Sequence, residues 1–398
     1  MLQKPFFEGV KVVDLTRALA GPFCTMMLAD LGAEVIKVEA PPGGDESRAW
    51  GPPFINGEST YFMSINRNKK SVLLNLKSLE GRRAFMRLAE KADVLVENFR
   101  PGTTEKLGID YGSMSKLNRG LIYCSISGFG QTGPRKDQPG YDIIAFALSG
   151  MMSITGEEGR PPVKMGVPVS DIGAGMYAAF AIAASLFRRA STGEGERIDV
   201  SLLEGQISWL TYQAACYFAT GVNPVRLGSA HSTIAPYQAF KAMDDYFVVA
   251  VGNDDLWRSF CGALGLQRLR DDRLFSTNPK RVENRIKLEK ELNSVFKTRA
   301  VGHWIRKLQQ AGVPCSAINT LDEAFADPQV VSRKDVVEVE HPKAGRIKQL
   351  GLPYKFSDFE FEVKSPPPML GEHTEEVLKS LGYSTAEIDR MRQRSVIG

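Results

Sequence analysis

The chain has 398 residues, 43% of them hydrophobic and 24% charged, an ordinary balance for a folded protein long enough for two domains. Its net charge of +4, from 50 basic and 46 acidic residues, is too mild to argue for nucleic acid or an anionic membrane as a partner. Five cysteines without a CxxC pair suit a reduced, cytoplasmic compartment better than a disulfide framework.

In chain order, residues 1–8 hold no apolar signal core. The apolar run at residues 9–15 predicts a strand, and Gly21-Pro22 opens a helix with proline in its first turn. That helix ends near Leu31-Gly32, where glycine suits a left-handed cap, and residues 33–38 form the next strand of one βαβ unit. Residues 71–76, 93–97, 121–127 and 197–200 repeat the strand pattern, with helices over 79–91, 173–189 and from Leu202 onward. The uncharged stretch 172–187, closed by Arg188-Arg189, is rich in alanine and glycine. It falls short of the ~18 residues of a membrane span and predicts a buried helix. Strands alternating with helices of this length imply a mostly parallel sheet covered on both faces. After about Asn223 the pattern changes to a short antiparallel pair, residues 237–240 and 246–251, and amphipathic helices over 255–264, 282–297 and 300–310. The expected organisation is a large domain from residues 1–222 and 331–398, with a smaller α+β domain at 223–330 between them. A last helical segment is expected at 371–381, after Pro366-Pro367-Pro368.

Gly128-Phe-Gly-Gln-Thr-Gly133 matches GxGxxG, but Pro134 and Pro139-Gly140 follow where a dinucleotide site needs a helix to open. The chain has no GxxxxGK[ST] loop for ATP and no GxSxG elbow for a serine hydrolase. His231, His303, His341 and His373 are not spaced to hold a metal. A carboxylate nucleophile needs none of these devices, being ionised at neutral pH with a reference pKa of ~3.9. Spacing alone does not choose among the 46 acidic residues.

Five segments together carry a family resemblance: Asp14-Leu-Thr-Arg17-Ala-Leu-Ala-Gly-Pro22, Leu31-Gly-Ala-Glu-Val-Ile-Lys-Val-Glu39, Asn66-Arg-Asn-Lys-Lys-Ser71 with Asn75-Leu-Lys77, Asp93-Val-Leu-Val-Glu-Asn-Phe-Arg-Pro-Gly102, and Leu370-Gly-Glu-His-Thr374. In this order they resemble the family III coenzyme A transferases, a group that includes formyl-CoA:oxalate transferases, carnitine CoA-transferases and α-methylacyl-CoA racemases. The resemblance implies a Rossmann-like α/β large domain built from both chain ends, a smaller α+β domain, and a dimer of interlocked rings. It implies acyl-CoA and carboxylic acid substrates, with coenzyme A thioester as substrate and no cofactor. A heteromer with a related subunit is an alternative assembly.

The family's nucleophile matches Asp171, in Val167-Pro-Val-Ser-Asp171-Ile-Gly-Ala-Gly. Aspartate at a helix start is also a common cap, and the helix dipole there would favour the ionised carboxylate. Racemases of the family carry a histidine thirty residues earlier; this chain has Tyr141, which argues against racemase chemistry and marks Tyr141 as an active-site wall or donor. The resemblance carries CoA contacts to Ala18, Leu19, Ala20, Leu74, Lys77, Asn98, Phe99 and Lys106. Two departures bear on substrate. Ala40 stands where formyl-CoA transferases have an adenine-side arginine, for which Arg48 or Arg67 would have to substitute. Their glycine-rich flap is replaced by a segment around His231, which looks more like the branch using succinyl-CoA and dicarboxylic acids. Arg17 and His231 are the expected cations for a second substrate carboxylate. Gly173, Gly175, Gly128 and Gly130 are expected to let backbone amides approach a reacting oxyanion or to serve close packing. The expected function is therefore a CoA-transferase using Asp171; the alternatives are an acyl-CoA racemase or epimerase, and a CoA-binding subunit of a heteromeric transferase.

Overall fold

In the computed structural model, which describes residues 4–398, contacts divide the chain into two compact units. The larger comprises residues 4–151, 165–214 and 329–398, and the smaller residues 152–164 and 215–328. The fold is mixed α/β with a large parallel sheet.

Six strands form that sheet: β1 (Lys11–Asp14), β2 (Glu34–Glu39), β3 (Lys69–Leu73), β4 (Val94–Glu97), β5 (Ile122–Ser127) and β6 (Glu196–Ser201). They lie in the order β3-β2-β1-β4-β5-β6, every neighbouring pair parallel. Both faces are covered, so the strands bury successive residues rather than alternate ones. Successive residues still part to opposite sides. Val13, Ile36 and Leu95 join one core with Phe85 of α2 (Leu79–Glu90), while Val12, Val35, Val94 and Val96 join the other with Cys24 and Leu28 of α1 (Ala20–Asp30). From β1 the chain works outward to β3, then returns to the other side at β4. The order of the strands thus reverses between β1 and β4, and the carboxyl ends of strands at such a reversal are where sheets of this kind bind ligands, in a crevice.

Three further helices complete the face near α1: α3 (Asp142–Leu148), α4 (Val169–Thr192) and α5 (Leu202–Ser208). Helix α4 begins four residues before the predicted start, and it is long and apolar enough to cross a membrane by length and composition. In this fold its Gly173, Ala174, Gly175, Ala178 and Ile182 are buried. A Cβ at Gly175 would stand 2.6 Å from the Ala20 carbonyl oxygen, so glycine is what lets α4 lie against α1.

The free edge of β3 is closed by the C-terminal segment. Gly371 N donates to Ser71 Oγ (2.8 Å), His373 N to Ser71 O (2.9 Å) and Leu73 N to Thr374 Oγ1 (3.0 Å). The Leu370-Gly-Glu-His-Thr374 segment thus satisfies an edge that would otherwise offer unpaired backbone groups. The chain also forms a hairpin, Val336–His341 with Gly345–Leu350, whose inward positions Val339, His341, Ile347 and Gln349 are buried.

The smaller unit has its own antiparallel sheet of Tyr237–Lys241, Tyr246–Ala250 and Cys315–Ala317. Phe240, Phe247, Trp257, Phe260, Phe296 and Trp304 fill its core. The helix expected over 282–297 is two: Asn278–Glu283 and Arg285–Phe296. Asn284 breaks it, with ψ at 24° and its side chain bonded back to Lys280 O at 2.9 Å.

Candidate active site

The loop after β1 is tied down at almost every backbone group. Leu15 N donates to Val96 O (2.8 Å) and Thr16 N to Asp14 Oδ1 (2.8 Å). Asn98, just past β4, brackets Arg17: Arg17 N donates to Asn98 Oδ1 at 2.9 Å and Asn98 Nδ2 to Arg17 O at 2.8 Å. The Arg17 guanidinium lies 5.1 Å from the Phe99 ring centre. Arg17 thus meets Asn98, 81 residues later, and the adjoining Phe99 at the sheet's crevice. Ala18 sits in the left-handed region with φ 66°, and α1 starts directly after it without a side-chain cap. The first N–H groups of such a helix suit an anionic ligand.

Glu97 supports the same turn from below. Its Oε2 accepts from Phe99 N at 2.8 Å. Burial pushes its carboxyl up to about 7, against the pull of the Ser125 hydroxyl and the Phe99 N–H. Nothing in the sequence pattern had singled out Glu97.

Asp171 occupies the third position of α4, whose cap residue, Pro168, contributes no side-chain bond. Aspartate at this position could have capped the helix, but Asp142 does that instead: Asp142 Oδ1 accepts from Ser170 N at 2.7 Å, and Ser170 Oγ donates to Asp142 O at 3.0 Å. Among the described residues the Asp171 carboxylate accepts no hydrogen bond and makes no ion pair. Burial pushes its carboxyl up to about 7, and the negative charge of Asp142 adds to the effect. Both causes work against the ionised form that a helix start favours. Tyr61 feels the same carboxylates. Burial first, then Asp171, Asp142 and Asp45, push its phenol up to about 12, so it stays a hydrogen-bond donor at neutral pH. Its ring packs edge-on against Trp50, centroids 4.9 Å apart. Asp142 and Tyr61 were missed as site residues because each acts through a partner distant in sequence.

The remaining candidates fall in several places. Tyr141 is 62% exposed, so it is no core aromatic; it stands immediately before Asp142 at the start of α3. Leu19 and Ala20 are buried, and Leu74 is a core side chain whose N–H donates to Glu39 O at 2.8 Å. Lys77 and Lys106 are exposed, at the mouths of the segments after β3 and β4. His231 belongs to the smaller unit, where its Nδ1 accepts from Thr233 N at 3.2 Å and its ring lies 5.3 Å from that of Tyr237.

Of the two readings offered for the glycines, close packing is visible: a Cβ on Gly173 would meet the Trp209 ring at 2.7 Å, and Gly175 faces Ala20 as described. Gly128 likewise lies against Gly140, where a Cβ would stand 2.8 Å from its Cα. Arg48 and Arg67 are not free to replace the arginine absent at Ala40. Arg48 pairs with Glu39 through two nitrogens and lies 3.6 Å over the Phe62 ring, and Arg67 pairs through two nitrogens with buried Asp30. Among the described residues no group of histidine, cysteine, aspartate or glutamate side chains is placed to hold a metal ion.

Comparison with known proteins agrees with this geometry. The family model described as CoA-transferase family III matches residues 7–374. The chain is 45% identical to the succinyl-CoA:glutarate CoA-transferase of Mus musculus, over 98% of this chain and 90% of that one. It is 42% identical to the succinate--glutarate CoA-transferase of Agrobacterium fabrum, over 95% and 96% of the two chains. Among solved structures, a CAIB/BAIF family protein from Brucella suis superposes with a TM-score of 0.84 at 41% identity, covering 95% of this chain and all of that one. With a family match across nearly the whole length and a site built on the sheet's crevice, the chain belongs to CoA-transferase family III and is a CoA-transferase.

Proposed function

We propose that this enzyme moves CoA from succinyl-CoA to a dicarboxylic acid, with Asp171 as the covalent nucleophile. The observation that carries the nucleophile is its uncommitted carboxylate: Asp142 takes the capping bond of α4, and Asp171 is left without a partner beside it. The names of the mouse and Agrobacterium relatives support succinyl-CoA as donor and a dicarboxylate as acceptor.

Four transfers complete the reaction. The Asp171 carboxylate attacks the thioester carbonyl, the C–S bond breaks, and the CoA thiolate leaves a mixed anhydride. The thiolate attacks the aspartyl carbonyl, which expels succinate and forms an aspartyl-CoA thioester. The acceptor carboxylate attacks that thioester and releases the thiolate, giving a second anhydride. The thiolate then attacks the acceptor's acyl carbon, which forms the new acyl-CoA and frees Asp171. The thioester energy stays in covalent form throughout. A partly desolvated carboxylate is the more reactive nucleophile once ionised, and the anhydrides require that water be kept away. The phenol of Tyr61 and the uncapped start of α1 are the groups nearest in kind to oxyanion and phosphate donors. Arg17, whose backbone is fully occupied by Asn98 and whose side chain is exposed, is the cation for the acceptor's second carboxylate. Ala18, Leu19, Ala20, Leu74, Lys77, Asn98, Phe99 and Lys106 line the CoA path.

The interlocked dimer implied by the resemblance is part of the same proposal. Phe180 and Phe187 on α4 are 75% and 85% exposed in the single chain, apolar surface of the kind that marks an interface. The test is a mass-spectrometric exchange assay with succinyl-CoA and a panel of mono- and dicarboxylic acids, Asp171→Ala serving as blank. New dicarboxylyl-CoA products that vanish in the variant support the reading; exchange that persists in the variant removes Asp171 from the mechanism.

A further inference from the structure

Beneath the loop after β1 lies a layer of charge that the reaction does not use. Asp14, Lys37, Asp45 and Lys69 are each at most 1% exposed. Lys69 Nζ lies 3.2 Å from Asp14 Oδ2, and Lys37 Nζ lies 2.8 Å from Asp45 Oδ2. An ion pair this deep is a poor device for stability, because desolvating two charges offsets most of their attraction. Each partner of the second pair, however, touches the loop itself. Lys37 Nζ donates to Thr16 O at 2.7 Å, and Asp45 Oδ1 accepts from Ala18 N at 3.2 Å. Ser47 secures Asp45 in turn, through its N–H (2.9 Å) and its hydroxyl (2.8 Å), both to Oδ1. The Oδ2 atom accepts no hydrogen bond and depends on the charge of Lys37 alone.

The residue so held is an outlier. Ala18 has φ 66°, a conformation that a side chain with a Cβ pays for with roughly 1–2 kcal/mol. Such strain persists only where surrounding bonds over-determine it, and it clusters at functional sites. Glycine would remove the strain at once, yet the chain keeps alanine and fixes it from below. The left-handed turn at Ala18 is what separates the Arg17 backbone, bound to Asn98, from the uncapped start of α1.

We infer that Lys37 and Asp45 are positioning residues for acyl-CoA: their buried pair sets the left-handed turn at Ala18 and so orients the residue 16–19 backbone toward the bound thioester. Neither touches substrate. The inference rests on the CoA site proposed above, and it separates the two halves of the reaction, since a loop that holds CoA matters to the donor more than to the free acceptor acid.

The test measures four proteins: wild type, Asp45→Ala, Asp45→Ala with Ala18→Gly, and Lys37→Met with Asp45→Leu. Calorimetric affinity for free CoA, KM for succinyl-CoA, KM for the acceptor acid and the thermal unfolding midpoint are read for each. Asp45→Ala is expected to weaken CoA binding and raise KM for succinyl-CoA by about 10- to 100-fold, with the acceptor KM within about twofold. Ala18→Gly is expected to restore part of that loss, because glycine adopts the turn without the tether. Lys37→Met with Asp45→Leu removes the charges and the Ala18 acceptor together and, with apolar residues of similar volume, is expected to fold like wild type, so it keeps the test decisive if Asp45→Ala does not fold; it too should lose CoA affinity. A folded double variant with wild-type CoA affinity, or a rise of both KM values by the same factor, overturns the positioning role. A wild-type protein that neither binds CoA nor transfers it would instead overturn the proposed function, which the wild-type arm reads separately.

Discussion

Replacing Asp171 with asparagine should change how stability depends on pH, and the sign follows from where the carboxyl sits. Its pKa is raised from 3.8 to about 7, so the folded chain binds the proton more tightly than the unfolded one. The wild-type carboxyl therefore contributes fully below about pH 4, and that contribution is lost as pH rises through about 7. A shift of ~3 units at ~1.4 kcal/mol each sets a ceiling near 4 kcal/mol. Because the side chain is only half-buried and water screens it, about 1–2 kcal/mol is the expected change. Asparagine cannot ionise, so Asp171→Asn should gain that amount on the wild type between pH 4 and pH 8, and the gain should level off above 7. Urea melts of both proteins at half-unit pH steps measure it. A pH-independent difference would mean that burial does not govern this carboxyl. A gain for the wild type with rising pH would mean that the helix dipole does, and the argument from desolvation would fail.

Arg17→Ala should raise the KM for dicarboxylic acceptors by about tenfold or more while sparing monocarboxylic ones, since only the former lose a charge-assisted contact; equal effects on both classes would remove Arg17 from acceptor recognition. Phe187→Glu puts a charge on an apolar side chain 85% exposed in the single chain, and light scattering should find a dimer in the wild type and a monomer in the variant. Thr374→Val leaves Leu73 N without its acceptor at a nearly buried edge, which should cost about 1–2 kcal/mol in urea melts at unchanged substrate KM values.

The layering of the large unit was readable because short strands with valine and isoleucine at successive positions, such as Val12-Val13 and Val35-Ile36, alternate with helices, a pattern that suits a sheet covered on both faces. The start of the helix carrying Asp171 was placed four residues late, because Pro168-Val169-Ser170 lacks the usual cap and the cap comes instead from Asp142, 28 residues upstream. No local pattern announces such a bond. The buried charges were hidden for a related reason. Lys37, Lys69 and Asp14 sit in strands whose apolar neighbours set the pattern, so each reads as an ordinary surface charge until the fold brings its partner to it. The family segments themselves divide on inspection of the structure. Asp14, Lys37 and Asn98 hold the crevice together, whereas Leu370-Gly-Glu-His-Thr374 closes the far edge of the sheet. A hairpin such as Val336–His341 with Gly345–Leu350 escaped because two of its four buried positions, His341 and Gln349, are themselves polar and blur the alternation.

The most direct test of the account is peptide mass spectrometry after incubation with succinyl-CoA in the absence of acceptor. The account predicts a CoA thioester on the peptide containing Asp171, discharged when a dicarboxylic acid is added and missing in Asp171→Asn. Turnover without any adduct on that peptide, in a protein whose Asp171→Asn variant remains active, would contradict it.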